Sequence, residues 1–378
     1  MKDAKKQVLA WIDDNEHQVV EFLRDLIKIP TVNPWFVEDK DICREGDAQR
    51  YIKKFMETLG AEIDMWEPSA KELAKYKGQP GYYEDHTFED RPNLAATVKG
   101  TGGGKSILLM GHIDTVRPGT GWDPFSGDLI DNIIHGRGAV DMKGGIAAMI
   151  MALEAILKSG YSLKGDVCVG TVVDEETGGM GTLAFIDRGH KADVCIMTEA
   201  TESKISPLCR GILWGNIIVK GRSGHIELPQ KDWREGGTVD AIKKARLILD
   251  QIDNLNDDWA KKKVHPLLKI PCQILIGQIV AGEWHSTYAN EANIAFDIPY
   301  LPAERDEFGG GGNVMKEFEE FIHAVSQTDP WLKENPPEVT WMVNADCGET
   351  DVDHEIVRTF LKNMGEVGLP QIVEGSYF

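Results

Sequence analysis

Positive charge is scarce in this sequence: 41 Lys and Arg stand against 61 Asp and Glu, for a formal net charge of −20. A nucleic-acid binder carries the opposite sign gathered in a patch, and an anionic membrane surface repels such a chain, so neither partner is expected. The short basic run Lys261-Lys262-Lys263 follows Asp257-Asp258 and reads as a solvated face. No apolar stretch approaches the roughly 18 uncharged residues of a membrane span. The N-terminal "MKDAKKQVLAWIDDNEHQVVEFLRDLIKI" is charged and reads as an amphipathic helix, not a signal peptide. Cysteine is sparse too. The six thiols, at 43, 168, 195, 209, 272 and 347, form no CxxC pair, and buried free thiols in a reducing cytoplasm are expected. Gly309 to Gly312 lacks the following Lys-Ser/Thr of a phosphate loop and reads as a turn before a helix. No internal repeat is present.

What remains is ample for a buried core and two domains: 378 residues, 42% of them hydrophobic. Apolar runs in "KSILLMGH", "GDVCVGTVVDEETGG" and "KADVCIMTEAT" read as strands, and "IAAMIMALEAILKSG" as an apolar helix ending near Ser159-Gly160. Strands alternating with helices imply an α/β fold with a mainly parallel central sheet flanked by helices. After about Ser206 the texture changes. "GILWGNIIVKGRSGH", "CQILIGQIVAGEW", "ANIAFDI" and "EVTWMVN" read as strands, and "TVDAIKKARLILDQIDNL" and "NVMKEFEEFIHAVSQ" as amphipathic helices. The expected division is a catalytic domain over 1–207, an inserted α+β domain over 208–345, and a return to the first domain over 346–378. "EPSAKELAKYKGQPGYYEDHTFEDRPN" reads as a polar surface excursion.

In open α/β sheets the ligand site lies beyond the carboxyl ends of the strands. The unusual residues fall there: His112 and Asp114, Asp141 among glycines, Glu175 and Glu176, and Glu199. Amide hydrolysis at neutral pH needs an activated water and a polarised carbonyl, and divalent metal supplies both. His112 and Asp141 suit metal ligation. Asp114, two residues past His112 on the same side of an extended chain, is placed to accept the other imidazole N–H. Glu175 and Glu176, adjacent on a strand, diverge, so one can bind metal while the other serves as general base. Taken singly each has a plainer reading: a hydrogen-bonded loop pair for His-x-Asp, a solvated strand end for Asp-Glu-Glu, a helix cap for Asp141. Their joint placement favours the metal site.

In order and spacing, "MGHIDTV", "GRGAVDMKGG", "DEETGG" and "TEAT" resemble the motifs of the di-zinc hydrolases that include acetylornithine deacetylase, succinyl-diaminopimelate desuccinylase, aminoacylase and glutamate carboxypeptidase. The likeness runs over nearly the whole chain. It implies a zinc-peptidase-like catalytic domain with an inserted lid and dimerisation domain, and two divalent ions, zinc first, with cobalt or manganese as alternatives. His112 and Glu199 would hold one ion, Glu176 the other, and Asp141 would bridge them. The peptide after Asp141 is often cis in relatives. Asp114 would orient His112. Glu175 would be the general base that forms a metal-bridging hydroxide. His225, in "SGHIELP", would reach a partner subunit's site and stabilise the oxyanion; its plainer reading is a polar turn residue. The implied activity is hydrolysis of an N-acyl amino acid or related small amide by a cytoplasmic homodimer. A dipeptidase or carboxypeptidase of the same family, or a non-catalytic binding relative, are the alternatives.

Two departures from the family pattern stand out. Pro299, in "FDIPYLPAERDEF", stands where an arginine that helps hold a substrate carboxylate is expected. Arg210, Arg222 and Arg305 are the substitute candidates. Relatives also continue past the position of "LPQIVEGSYF" to a histidine that binds the second zinc. His285, His323 and His354 do not replace it, so either the sequence is truncated or the second metal site is incomplete; truncation is the expectation.

Overall fold

A computed structural model describes residues 2–376. It contains two compact units, one reaching to Glu202 and the other beginning at Ser203.

The first unit is built on a five-stranded sheet in the order Glu62–Trp66, Asn93–Val98, Val167–Val172, Ile107–His112, Val194–Met197. Ile107–His112 runs parallel to both of its neighbours, while Asn93–Val98 is antiparallel to both of its own. All the strands but Asn93–Val98 therefore point one way, which is the mainly parallel α/β sheet expected. Their short runs of Val, Leu and Met suit strands covered on two faces. The helix Gly144–Lys158 buries Ile146, Met149, Ile150, Met151 and Leu153 in the core that also holds Leu26, Leu94 and Val169. Each such side chain, fully removed from water, contributes about 1.5–3 kcal/mol.

Close approach at the start of this helix positions the site. A Cβ on Gly145 would lie 2.0 Å from the Thr198 carbonyl oxygen. Only glycine lets the helix start this near the segment that carries Glu199. The turn before the helix, Ala139–Lys143, departs from helical geometry at Asp141 and Met142, and the peptide between those two is cis.

The second unit carries an antiparallel four-stranded sheet in the order Leu275–Ala281, Glu291–Tyr300, Gly211–Lys220, Glu338–Ala345. Strict alternation in Gly211–Lys220 buries Leu213, Ile217 and Val219 on one face. Side chains of Ala241–Lys262 and Gly312–Ser326 join the same core, giving the α+β architecture expected. Within the second unit, residues 346–376 pair with residues 205–209. Glu349 pairs with Leu208 and Ile205 bridges Val373.

Several local expectations change. The N-terminal segment is two helices, Lys2–Asp14 and Glu16–Lys28, interrupted at Asn15, whose side-chain amide donates to the Trp11 carbonyl at 2.7 Å. Lys263 does not belong to a solvated face. It is buried and paired with Glu304 and, at 2.8 Å, with Glu317, because its chain turns inward at the end of the helix. Among the described residues no two cysteines form a disulfide, and only Cys272 and Cys347 are buried. The excursion around residues 67–93 is not all surface: Leu73, His86, Phe88 and Arg91 are buried.

Candidate active site

The sheet delivers His112 as the last residue of its strand, buried to 2% exposure. Its Nε2 lies 2.9 Å from Asp141 Oδ1, 3.4 Å from Glu199 Oε1 and 3.8 Å from Glu175 Oε2. One ligand atom each from His112, Asp141 and Glu199 fall within 4.8 Å of one another. Four-coordinate ligands about 2.0–2.1 Å from a zinc ion are separated by roughly 3.3 Å, so this spacing is close to that of a filled site. Asp141 does not cap the helix that follows it, which begins after Lys143 with no side-chain cap.

Glu175 and Glu176 are not on a strand. The strand ends at Val172, Asp174 takes the left-handed conformation (φ 66°, ψ 21°), and Glu175–Thr177 forms one 3₁₀ turn. The two N–H groups are taken up by one carboxylate: Glu175 donates to Asp114 Oδ1 and Glu176 to Asp114 Oδ2, both at 3.2 Å. Glu176 Oε1 accepts the Val116 N–H at 3.1 Å. Gly178, at φ 113° and with a virtual Cβ 2.2 Å from the Tyr83 hydroxyl, closes the turn where no other residue fits. His112 Nδ1 contacts the Asp114 backbone oxygen at 3.0 Å, nearer than the carboxylate oxygen at 3.6 Å. The Asp114 carboxylate is instead engaged with the two glutamate amides and with Asn33 Nδ2 at 2.8 Å.

Carboxylates crowd this imidazole, and the electrostatics follow. Burial acts to lower the His112 pKa, but Glu175, Asp114 and Asp141 together hold it well above its ordinary value. Burial raises the Glu175 carboxyl, with Asp114 and Asp141 adding to the rise. Burial and the same neighbours push Glu176 up to about 8, and burial with Glu175 and Asp141 pushes Glu199 up to about 7. Asp114 goes the other way: burial opposes its ionisation, but the facing His112 imidazole, the Asn33 hydrogen bond and the Arg91 charge lower it. Among the described residues, none of Asp141, Glu175 and Glu199 pairs with a lysine or arginine. An imidazole with clustered carboxylates, short of positive charge, is the donor set of a first-row divalent ion.

Beneath the turn lies a buried polar network that has no motif of its own. Arg91 forks onto Glu45, through Nε and, at 3.2 Å, through Nη2, which also donates to Asp174 Oδ1 at 3.1 Å. His86 Nδ1 is 2.6 Å from Asp174 Oδ2. Asn33 Nδ2 reaches both Asp114 and, at 3.2 Å, Asp174. The signal that could have found them is composition: "HTFEDRPN" ends directly at a buried strand and is rich in groups too polar to be buried singly.

The remaining candidates lie in the second unit. His225 is exposed and its Nδ1 accepts the Glu227 N–H at 3.3 Å. Arg222 donates to the carbonyls of Trp233 (2.7 Å) and Gly237 (3.1 Å) and stacks over Trp331. Arg305 donates to the Pro302 carbonyl at 3.2 Å and is exposed. Arg210 is buried, and its charge acts on Cys272 and Asp297. Pro299 pairs with Ile212, past Asp297, the last residue of its strand to pair with Leu275–Ala281, where a missing N–H is tolerated. His354 is exposed and caps the helix Glu355–Glu366 by accepting the Ile356 N–H.

The chain is 28% identical over 347 residues to the N-formyl-4-amino-5-aminomethyl-2-methylpyrimidine deformylase of Halalkalibacterium halodurans, a match covering 89% of this chain and 74% of that one. It is 31% identical over 252 residues to the succinyl-diaminopimelate desuccinylase of Xanthomonas campestris pv. campestris, covering 62% and 63%. Among solved structures, the di-peptidase Dug1p of Saccharomyces cerevisiae shares the fold with a TM-score of 0.70 at 15% identity, over 98% of this chain and 87% of that one. The sequence model of peptidase family M20/M25/M40 matches residues 108–376, a span that holds His112, Asp114, Asp141, Glu175, Glu176 and Glu199. The chain belongs to peptidase family M20/M25/M40, and it is an enzyme, a metal-dependent amidohydrolase.

Proposed function

We propose that this enzyme hydrolyses the amide of a small N-acyl amine with two divalent ions, zinc first, at the carboxyl edge of the five-stranded sheet. The observation that carries the reading is the convergence of His112, Asp141 and Glu199 on one point, with Glu175 beside them. His112 and Glu199 would hold one ion, Glu176 the other, and Asp141 would lie between. The bound ions supply an activated water and a polarised carbonyl. Glu175 takes the proton of the attacking water and returns it to the leaving amine. A carboxyl raised by burial is suited to both halves of that transfer near neutral pH. Asp114 keeps His112 and the two glutamate amides in register.

The substrate reading rests on two further observations. The deformylase match covers more of this chain than the desuccinylase match, 89% against 62%. Position 299 is proline and holds no guanidinium for a substrate carboxylate. A formamide of an aromatic aminomethyl heterocycle is therefore the first substrate to try, ahead of N-acyl amino acids and dipeptides.

The second unit is the proposed lid and dimerisation domain. Its edge strand Leu275–Ala281 exposes Leu275, Ile279 and Val280, an unpaired apolar edge of the kind that a second copy covers. In that dimer, His225 of the partner subunit would stabilise the oxyanion. The six free thiols support a cytoplasmic setting. No helix is long and apolar enough to cross a membrane among the described residues.

The test is turnover of the zinc-, manganese- or cobalt-loaded protein on a panel of N-formyl aminomethylpyrimidine, N-succinyl and N-acetyl amino acids, and dipeptides. Hydrolysis of the formamide with the highest kcat/KM is expected. No hydrolysis of any member defeats the reading, and a preference for dipeptides replaces the deacylase with a peptidase.

A further inference from the structure

Glu175 owes its direction to its backbone. Among the described residues its carboxylate has no hydrogen bond to a neutral side chain; it sits 3.8 Å from His112 Nε2, while its N–H is held by Asp114. What fixes the backbone just before it is Asp174, whose φ of 66° lies in the left-handed region that residues with a Cβ rarely visit. That conformation persists only where the surroundings over-determine it. Here they do. The Asp174 side chain is 1% exposed and its two oxygens meet four partners. Oδ1 accepts from Thr177 Oγ1 at 3.0 Å, Arg91 Nη2 at 3.1 Å and Asn33 Nδ2 at 3.2 Å, and Oδ2 faces His86 Nδ1 at 2.6 Å. The Gly179 N–H closes onto the Asp174 carbonyl at 2.9 Å.

The partners are themselves anchored. Arg91 is held by the buried Glu45 and by the Thr87 carbonyl at 2.7 Å. His86 stacks on Tyr83, with ring centroids 4.8 Å apart, and the Tyr83 hydroxyl donates to Gly178 at the far end of the same turn. Asn33 bridges the Asp114 and Asp174 carboxylates, tying the residue that holds the two glutamate amides to the residue that holds the turn.

We propose that Asp174 is a positioning residue, whose carboxylate, held by Arg91, His86, Asn33 and Thr177, locks the left-handed turn that aims Glu175 at the metal-ligand cluster. This rests on the reading of Glu175 as the base. Four buried partners on one side chain, converging from residues 33, 86, 91 and 177, exceed what the end of a strand needs; Val173, the preceding residue, is already tied by its N–H to Asn93.

The test compares Asp174→Asn, which keeps the volume and loses the charge, with Thr177→Val, which removes one hydrogen bond at nearly constant shape. At saturating metal, Asp174→Asn should lower kcat by about 10–100-fold with KM within about twofold, the range seen for groups that orient catalytic ligands. Thr177→Val should lower kcat severalfold in the same pattern. Titration of the metal-free proteins with zinc should show weaker binding in Asp174→Asn, since Glu176 rides on the same turn. A folded Asp174→Asn with wild-type kcat and wild-type zinc affinity overturns the proposal, as does a KM rise that accounts for the whole loss. If Asp174→Asn does not fold, an unchanged kcat in both Thr177→Val and Asn33→Ala overturns it. Glu175→Gln run in parallel separates the two readings. Full turnover in that variant removes the base assignment, and the positioning of the turn is then judged on the zinc titration alone.

Discussion

His112 Nε2 and Asp141 Oδ1 lie 2.9 Å apart, across 29 residues of sequence. With Glu199 they bring three potential ligand atoms within 4.8 Å of one another.

Metal binding should therefore expel protons. Glu176 and Glu199, held up at about 8 and about 7, should carry protons at neutral pH in the metal-free protein, and His112 is shifted in the same direction. Zinc must displace those protons, so affinity should rise from pH 6 to pH 8.5. Calorimetric titration in buffers of different ionisation enthalpy measures the protons released; a release of zero contradicts the assignment.

The stability of the metal-free protein should move the opposite way with pH. Glu175, Glu176 and Glu199 have folded pKa values above their ordinary value of 4.5, and His112 above 6.5. The folded state then binds more protons than the unfolded state. That contribution is fully present below the ordinary values and is lost as pH rises through about 7 to 8. Asp114, lowered, adds stability only above its ordinary 3.8 and is constant over this range. The melting temperature of metal-free protein should fall between pH 6 and 8.5, while the increment on adding zinc grows. Melting curves with and without a chelator check both.

Glu175→Gln should retain its metal and lose turnover by about 10²–10⁴-fold, the usual share of a positioned acid–base group. Elemental analysis beside kcat reads the outcome. Loss of metal along with activity would move Glu175 from base to ligand.

Lys143 is fully buried two residues past Asp141, and its Nζ donates to the carbonyls of Leu26 at 3.0 Å and Ile29 at 2.8 Å, at the end of the helix Glu16–Lys28. Lys143→Met leaves both carbonyls without this donor. It should cost about 1–3 kcal/mol in chemical denaturation of the metal-free protein.

Val280→Lys places a charge on the exposed edge of Leu275–Ala281 and should yield monomer if that edge is the dimer contact. Light scattering of wild type and variant decides it. A wild-type monomer, or an unchanged variant dimer, removes the edge from the interface.

Local patterning carried the strands, the helix after Asp141 and the division into an α/β part followed by an α+β part, because burial on a sheet or helix leaves a period in the residues themselves. It also singled out His112, Asp141 and Glu199 as candidates, and the fold brings one ligand atom of each within 4.8 Å of the others. Strand extension did not survive as far as Glu175: Asp174 turns left-handed, and the divergence of the two glutamates comes from a 3₁₀ turn. Nor did polarity mark exposure in "HTFEDRPN", where His86 and Arg91 are buried.

By itself, then, the sequence determined which residue types stand where a parallel sheet delivers its strand ends, and so the chemistry available to the chain. Only the tertiary structure decided that Asn33, Glu45, His86 and Arg91 join Asp174 in one buried network. They lie 83 to 141 residues before Asp174 or touch it through Arg91. No period or spacing links them. A buried charge is tolerated only when partners from distant segments meet it, and that meeting exists only in the folded chain.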